Sequence, residues 1–243
     1  MNIKNIISVA VFDQIKDKGF LYSFFVNLIL NISIFLFISL SNDYEGMLSS
    51  IMILFFVIIN ISIYQLITNV VLYNISINEK ISSRLEFYLA NKIPLNDILN
   101  AYSISTFILS SLSTISFTLV ILLMTLIFKL QNFVQIFWNL DFVAIFLVLL
   151  IFFYLVAQLL NIFVFISKKI STIRMLIAHS SLFVLLLGVF GSKYMIKSAM
   201  YFNISFNLAI TITLLGLSLV ILFFVIALKC NCTKEKIVLS TKE

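Results

Sequence analysis

Charge is what this sequence has least of. Only 11% of its 243 residues are Asp, Glu, Lys or Arg, against 62% hydrophobic, which is more apolar surface than a water-soluble globule can hide. Histidine occurs once and cysteine twice, short of the three or four converging ligands a metal needs, so no metal site is expected. Five scattered glycines supply no glycine-rich turn ahead of Lys and Ser or Thr. No phosphate-cradling loop is therefore expected, and no cofactor on this chain. Cys230 and Cys232, one residue apart past the last apolar run, cannot form an unstrained disulfide with each other. They read as inert thiols, with reversible lipidation as the alternative.

The same scarcity leaves six long stretches without any acidic or basic residue except a histidine: 19–42, 46–78, 98–128, 142–167, 175–192 and 198–228. A helix crosses the hydrocarbon layer in roughly 20 mainly apolar residues. Strands of a membrane barrel would alternate polar and apolar side chains, and these runs are apolar all round. The reading is an all-α integral membrane protein with one transmembrane domain over 1–243. Its six transmembrane helices are expected at about 20–41, 47–74, 100–128, 142–166, 174–192 and 205–228. Met1 to Lys18 carries Lys4, Asp13, Lys16 and Asp17 where a cleavable signal would be uninterruptedly apolar, so it is expected to stay attached.

With six spans, the basic residues sort by side. Lys4, Lys16, Lys18, Lys80, Arg84, Lys92, Lys168, Lys169, Arg174, Lys229, Lys234, Lys236 and Lys242 fall on one side, and Lys129, Lys193 and Lys197 on the other. The positive-inside rule then predicts a multi-pass protein of the cell (plasma) membrane with both termini cytoplasmic. The net charge of +6 is met by membrane lipids and calls for no nucleic acid.

Residues 1–18 show Ile3, Ile7, Ala10, Val11 and Ile15 at helical spacing, which predicts an N-terminal interfacial helix or an extension of the first span. Between spans two and three, Ile77, Ile81, Leu85, Tyr88 and Leu89 make a helical stripe through a charged stretch that stops near Lys92, ahead of Pro94, the only proline. A cytoplasmic amphipathic helix over about 78–92 is expected, and something apolar must cover its stripe. Trp138, the only tryptophan, falls in the connection 129–141, where a membrane interface suits its ring. Gly188 and Gly191, followed by Lys193 and Lys197, break the pattern before the last span.

Inside the runs no Asp, Glu, Lys or Arg is available for acid–base or nucleophilic work, so no catalytic residues are expected. His179, beside Ser180 and Ser181, reads as an interhelical hydrogen-bonding group. Uncharged polar side chains do recur at helical intervals. Asn27 and Asn31 lie in the first span, Asn60, Tyr64, Gln65 and Asn69 in the second, and Tyr154, Gln158 and Asn161 in the fourth. They serve either as glue between helices or, for the first six, as the lining of a pathway. The Ser and Thr residues between Ser103 and Thr118 favour close packing of the third span.

Glu79-Lys80, Arg84-Leu85-Glu86-Phe87-Tyr88-Leu89, Ile93-Pro94-Leu95 and Asp97-Ile98-Leu99 stand in an order that resembles the permease subunits of ABC-2 type transporters. The sequence departs from that family in Ser82-Ser83, where Gly-Thr is frequent, and in Ala101-Tyr102-Ser103, where Gly-Lys often opens the third span. The resemblance implies a permease half that dimerises with a second copy or a relative. It also implies a separate cytoplasmic ABC ATPase that holds ATP and Mg. Glu79, Lys80, Arg84, Leu85, Glu86, Tyr88 and Leu89 would then form a coupling helix docked on that ATPase, with Lys168 and Lys169 as a smaller contact. The alternative cover for the stripe is the inner membrane surface. The implied cargo is amphipathic peptide or another hydrophobic or antimicrobial compound, as for exporters of phenol-soluble modulins. A competing reading is a membrane immunity or scaffold protein that binds a peptide or partner without ATP.

Overall fold

The computed structural model describes residues 3–40, 50–82, 84–167 and 206–232. Among these there are nine helices: α1 (Ile3–Lys16), α2 (Lys18–Leu40), α3 (Ser50–Leu72), α4 (Asn74–Ile81), α5 (Arg84–Ala90), α6 (Leu95–Ile127), α7 (Gln131–Phe137), α8 (Leu140–Ile166) and α9 (Phe206–Asn231). Five stretches are long and apolar enough to cross a membrane: Lys18–Phe37, Ile53–Lys80, Leu95–Ile127, Leu140–Ile166 and Ile210–Cys230. The span expected at 174–192, with His179 and the loop carrying Lys168 and Lys169, lies outside the described residues.

Helices α2, α3, α6 and α8 alternate in direction, and α9 runs the same way as α8. Phe20, Ile75, Ile98, Phe165 and Val225 meet in one apolar cluster, and Phe35, Ile53, Ile121, Phe142 and Ile210 in another. The starts of α2 and α6 therefore lie with the ends of α3, α8 and α9, and their opposite termini lie together. Lys4, Lys16, Lys18, Lys80, Arg84, Lys92 and Lys229 belong to the first end and Lys129 to the second. We call the first the basic end.

Helix boundaries follow local chemistry. Asp17 accepts the Gly19 N–H at 3.0 Å and so caps α2, while Asn139 accepts the Asp141 N–H at 3.0 Å and caps α8. The long helix α6 ends when Lys129 takes φ 56°, with the Leu130 N–H reaching back to the Thr125 carbonyl and the Lys129 N–H to Leu126. Helix α5 closes in the same way. Lys92 has φ 58°, Ile93 N–H bonds Tyr88 O and Lys92 N–H bonds Leu89 O, with Pro94 just beyond. Both are Schellman motifs with lysine where glycine is usual, and each is pinned by a buried apolar residue, Leu130 or Ile93.

The charged segment 78–92, expected as one helix, is two. Helix α4 continues the second span and ends where the Ser82 hydroxyl and N–H turn back to the Glu79 and Asn78 carbonyls, competing with helix propagation. Helix α5 follows as a separate two-turn rod. The connection 129–141 likewise contains α7, whose Phe133 packs edge-on against Phe35 and Phe56, while Trp138 beside it is 79% exposed.

Helix α1 lies across α6 and touches α2. Its inward stripe is Ile6, Ala10 and Gln14, flanked by partly buried Ile3, Ile7 and Val11. Ile15, expected on that stripe, is exposed beside Val9 and Phe12.

Candidate functional site

Two constellations stand out: a polar seam between the apolar clusters and a charged elbow at the basic end. The seam joins α2, α3 and α6. Asn31 donates to the backbone and side-chain oxygens of Asn27 at 2.8 and 2.7 Å. Asn27 in turn donates to Thr68 Oγ1 at 3.2 Å and to the Tyr64 carbonyl at 3.5 Å. The Tyr64 hydroxyl shares a 2.7 Å hydrogen bond with Ser113 on α6, and its ring stacks on Phe117 with centroids 4.1 Å apart.

A second tie lies nearer the basic end, where Ser76 donates to Asn161 Oδ1 at 2.5 Å and Asn161 donates to Thr106 Oγ1 at 3.2 Å. It joins α4, α8 and α6. Of the six residues expected to line a pathway, all are buried, and Asn27, Asn31 and Tyr64 belong to the bonded seam. Asn60 sits inward on the same helix, and Gln65 and Asn69 are buried without any bonded partner among the described residues. Gln158 pairs with Tyr154 on its own helix. Thr68, Ser76, Thr106 and Ser113 complete the network. Most other hydroxyls of α6, such as Ser103, Ser105, Thr114 and Thr118, bond the carbonyl four residues back, so their short side chains leave room for close packing.

At the elbow, Arg84 donates to Asp13 of α1 at 2.7 Å and to Glu79 of α4 at 3.2 Å. The hydrogen bond to Asp13 and then the nearby Glu79 charge push the guanidinium further up, so it stays charged. Glu79 itself is nearly enclosed and abuts Tyr88 and Tyr102. Burial, then the Glu79 carboxylate, pushes the Tyr88 hydroxyl up, so it stays neutral. A cleft of about 200 Å³ opens between α1 and α4, walled by Asp13, Gln14, Asp17, Asn78, Glu79 and Arg84.

Lys80 points the other way. Its ammonium donates to the carbonyls of Val164, Phe165 and Ser167 at 3.2, 3.4 and 2.5 Å. It thereby satisfies the orphan carbonyls at the end of α8, where a positive charge also suits the helix dipole. Lys229 makes a comparable tie from α9 to Asn100 of α6 at 2.8 Å.

The coupling stripe read from the sequence is therefore covered from within. Leu85 is 0% exposed, and Leu85, Tyr88 and Ile93 lie in one cluster with Ile6, Ala10, Ile98 and Tyr102. Leu89 packs against that cluster, and Glu86 is half-buried. The apolar cover that the stripe calls for is supplied, over Leu85, Tyr88 and Leu89, by the cluster that α1 and the start of α6 help to build. What α5 turns outward is Arg84, Phe87 and Ala90, followed by Asn91 and Lys92. Phe87, 61% exposed, is the residue that sequence reasoning passed over. Its signal was being out of phase with Leu85, Tyr88 and Leu89.

Among the described residues, no group of three His, Cys, Asp or Glu side chains is placed to hold a metal ion. No family model, curated protein or solved structure matches the chain.

Proposed function

We propose that this chain is the membrane-spanning permease subunit of an ABC-2 type exporter, crossing the plasma membrane six times with both termini cytoplasmic. It works as a dimer with a second copy or a relative, and a separate cytoplasmic ATPase carries ATP and Mg. Its cargo is an amphipathic peptide or a similarly hydrophobic compound. Support for the sixth crossing comes from the described helices themselves, since α8 ends at the basic end and α9 begins at the opposite one. The excess of Lys and Arg at the basic end supports a cytoplasmic location for it.

The observation that carries the reading is the elbow. Helix α5 is too short to be stable alone, yet its buried face locks it to α1 and α6 while Phe87 stands out into solvent. A force on such a rod is not dissipated locally. It reaches α1 through Arg84 and Asp13, α8 through Lys80, and the polar seam through α3, which continues straight into α4. A motor docked on the Arg84, Phe87, Asn91 and Lys92 face would thus move several crossings at once.

Mild-detergent purification of the tagged chain from its native host, with mass spectrometry of co-purifying proteins, tests this. An ABC ATPase accompanies the unaltered chain, and Phe87→Asp loses it while insertion and thermal stability are unchanged. The reading falls if no ATPase accompanies the unaltered chain, or if Phe87→Asp retains it in full.

A further inference from the structure

Gln65 and Asn69 stand one turn apart on α3, on the stripe that also holds Ile61 and Leu72. Ile61 belongs to the apolar cluster of one half and Leu72 to that of the other, so the two carboxamides form a polar layer between two dry ones. Both are fully enclosed, at 0% and 1% exposure. Yet none of Gln65 Nε2, Gln65 Oε1, Asn69 Nδ2 and Asn69 Oδ1 has a hydrogen-bond partner among the described residues. Tyr64 and Thr68, each the preceding residue, bond Ser113, Asn27 and their own helix. One flank of α3 has hydrogen-bond partners, and the adjacent, equally enclosed flank has none for these two side chains among the described residues.

An amide taken out of water without a replacement bond carries a heavy desolvation penalty, and two such side chains together would rival the whole margin by which a domain is stable. Leucine at both positions would avoid that penalty. We infer that Gln65 and Asn69 form an intramembrane hydrogen-bonding site whose resident ligand is water and which accepts neutral amide or hydroxyl groups. The pair offers N–H donors and carbonyl acceptors in equal number, and α3 contains no Asp, Glu, Lys or Arg. That chemistry matches water or a peptide group and gives no preference to an ion. A water held by two to four polar partners is stable at such a depth, as it is in soluble interiors. The exchange of that water for the amide groups of a cargo rests on the permease reading, whereas the hydrated site itself does not.

Cysteine accessibility tests it on the chain alone, in membrane vesicles without ATPase. In a Cys230→Ser, Cys232→Ser background, Gln65→Cys and Asn69→Cys are reacted with a small water-soluble methanethiosulfonate and compared with Ile61→Cys and Leu72→Cys. The two site positions label at least about tenfold faster than the flanking pair, because a thiolate forms, and a water-soluble reagent arrives, only where water does. Equal, slow labelling at all four positions overturns the inference and leaves the docking face untouched. In the unmodified protein, magnetisation transfer from water to the Gln65 and Asn69 side-chain amides reads the same property without substitution, and its absence likewise overturns the site. Loss of ATPase co-purification, by contrast, would remove the permease reading and leave the labelled site standing.

Discussion

At the basic end, helices meet through charge: the Arg84 guanidinium spans Asp13 and Glu79, and the Lys80 ammonium closes the end of α8. At the opposite end they meet through rings, with Phe35, Phe56 and Phe133 within about 5.5 to 6.4 Å of one another and Phe142 edge-on to Phe137 and stacked on Phe146. Ring packing is short-ranged, unscreened by salt and lost steeply when geometry changes. Ionic ties to carboxylates and carbonyls tolerate small displacements and can exchange partners. The contrast teaches that the two ends resist disturbance differently: salt and charge substitutions act on the tied end, and ring truncation acts on the aromatic one.

The largest break in this contrast comes from Leu85→Asp with Tyr88→Asp, which drives two carboxylates into the cluster beneath α1. A loss of at least about 5 kcal/mol is expected, with no monodisperse peak in detergent size-exclusion chromatography. If the double variant stays monodisperse, α5 is not packed as described. Next in size, Phe133→Ala removes a ring shared by α2, α3 and α7 and should cost about 3 kcal/mol, measured as a fall in thermal midpoint that salt does not alter. Lys80→Met keeps the length of the side chain but strips its donors from α8, for a loss of about 2 kcal/mol. That loss should show as faster proteolysis after α8, with the aromatic end unaffected. The smallest effect belongs to Asp13→Asn. Its ion pair with Arg84 is half exposed, so the change is under about 1 kcal/mol and vanishes in molar salt. A salt-independent fall there would erase the distinction between the two ends.

The crossings were legible because a charge-free run of membrane length has few other physical uses, and α2, α3, α6, α8 and α9 fall where the runs lie. The inward placement of Asn27, Asn31, Asn60, Tyr64, Gln65 and Asn69 was legible too, since lipid accepts none of them cheaply. The cover of the Leu85 stripe was not. Periodicity announces an apolar face and says nothing about who lies on it, and here the cluster that takes it in includes Ile6 and Ala10, far away in sequence. The partners of Lys80 were invisible for another reason. Backbone carbonyls are present at every residue, so a lysine that caps a helix 84 residues on leaves no mark in the amino-acid pattern. The break before α5 hinges on Ser82 turning back on Glu79, a local competition that a serine signals only weakly.

Helix α1 is synthesised before α6, but the residues that bury Ile6 and Ala10 are Ile98, Tyr102 and their neighbours on α6. At roughly 5–20 residues per second, several seconds separate the synthesis of the two surfaces. During that interval the leading helix has an apolar side and no home in the protein. The apolar side of α1 thus waits for the third crossing before it is covered, and the end that it helps to build closes only when α8 and α9 follow.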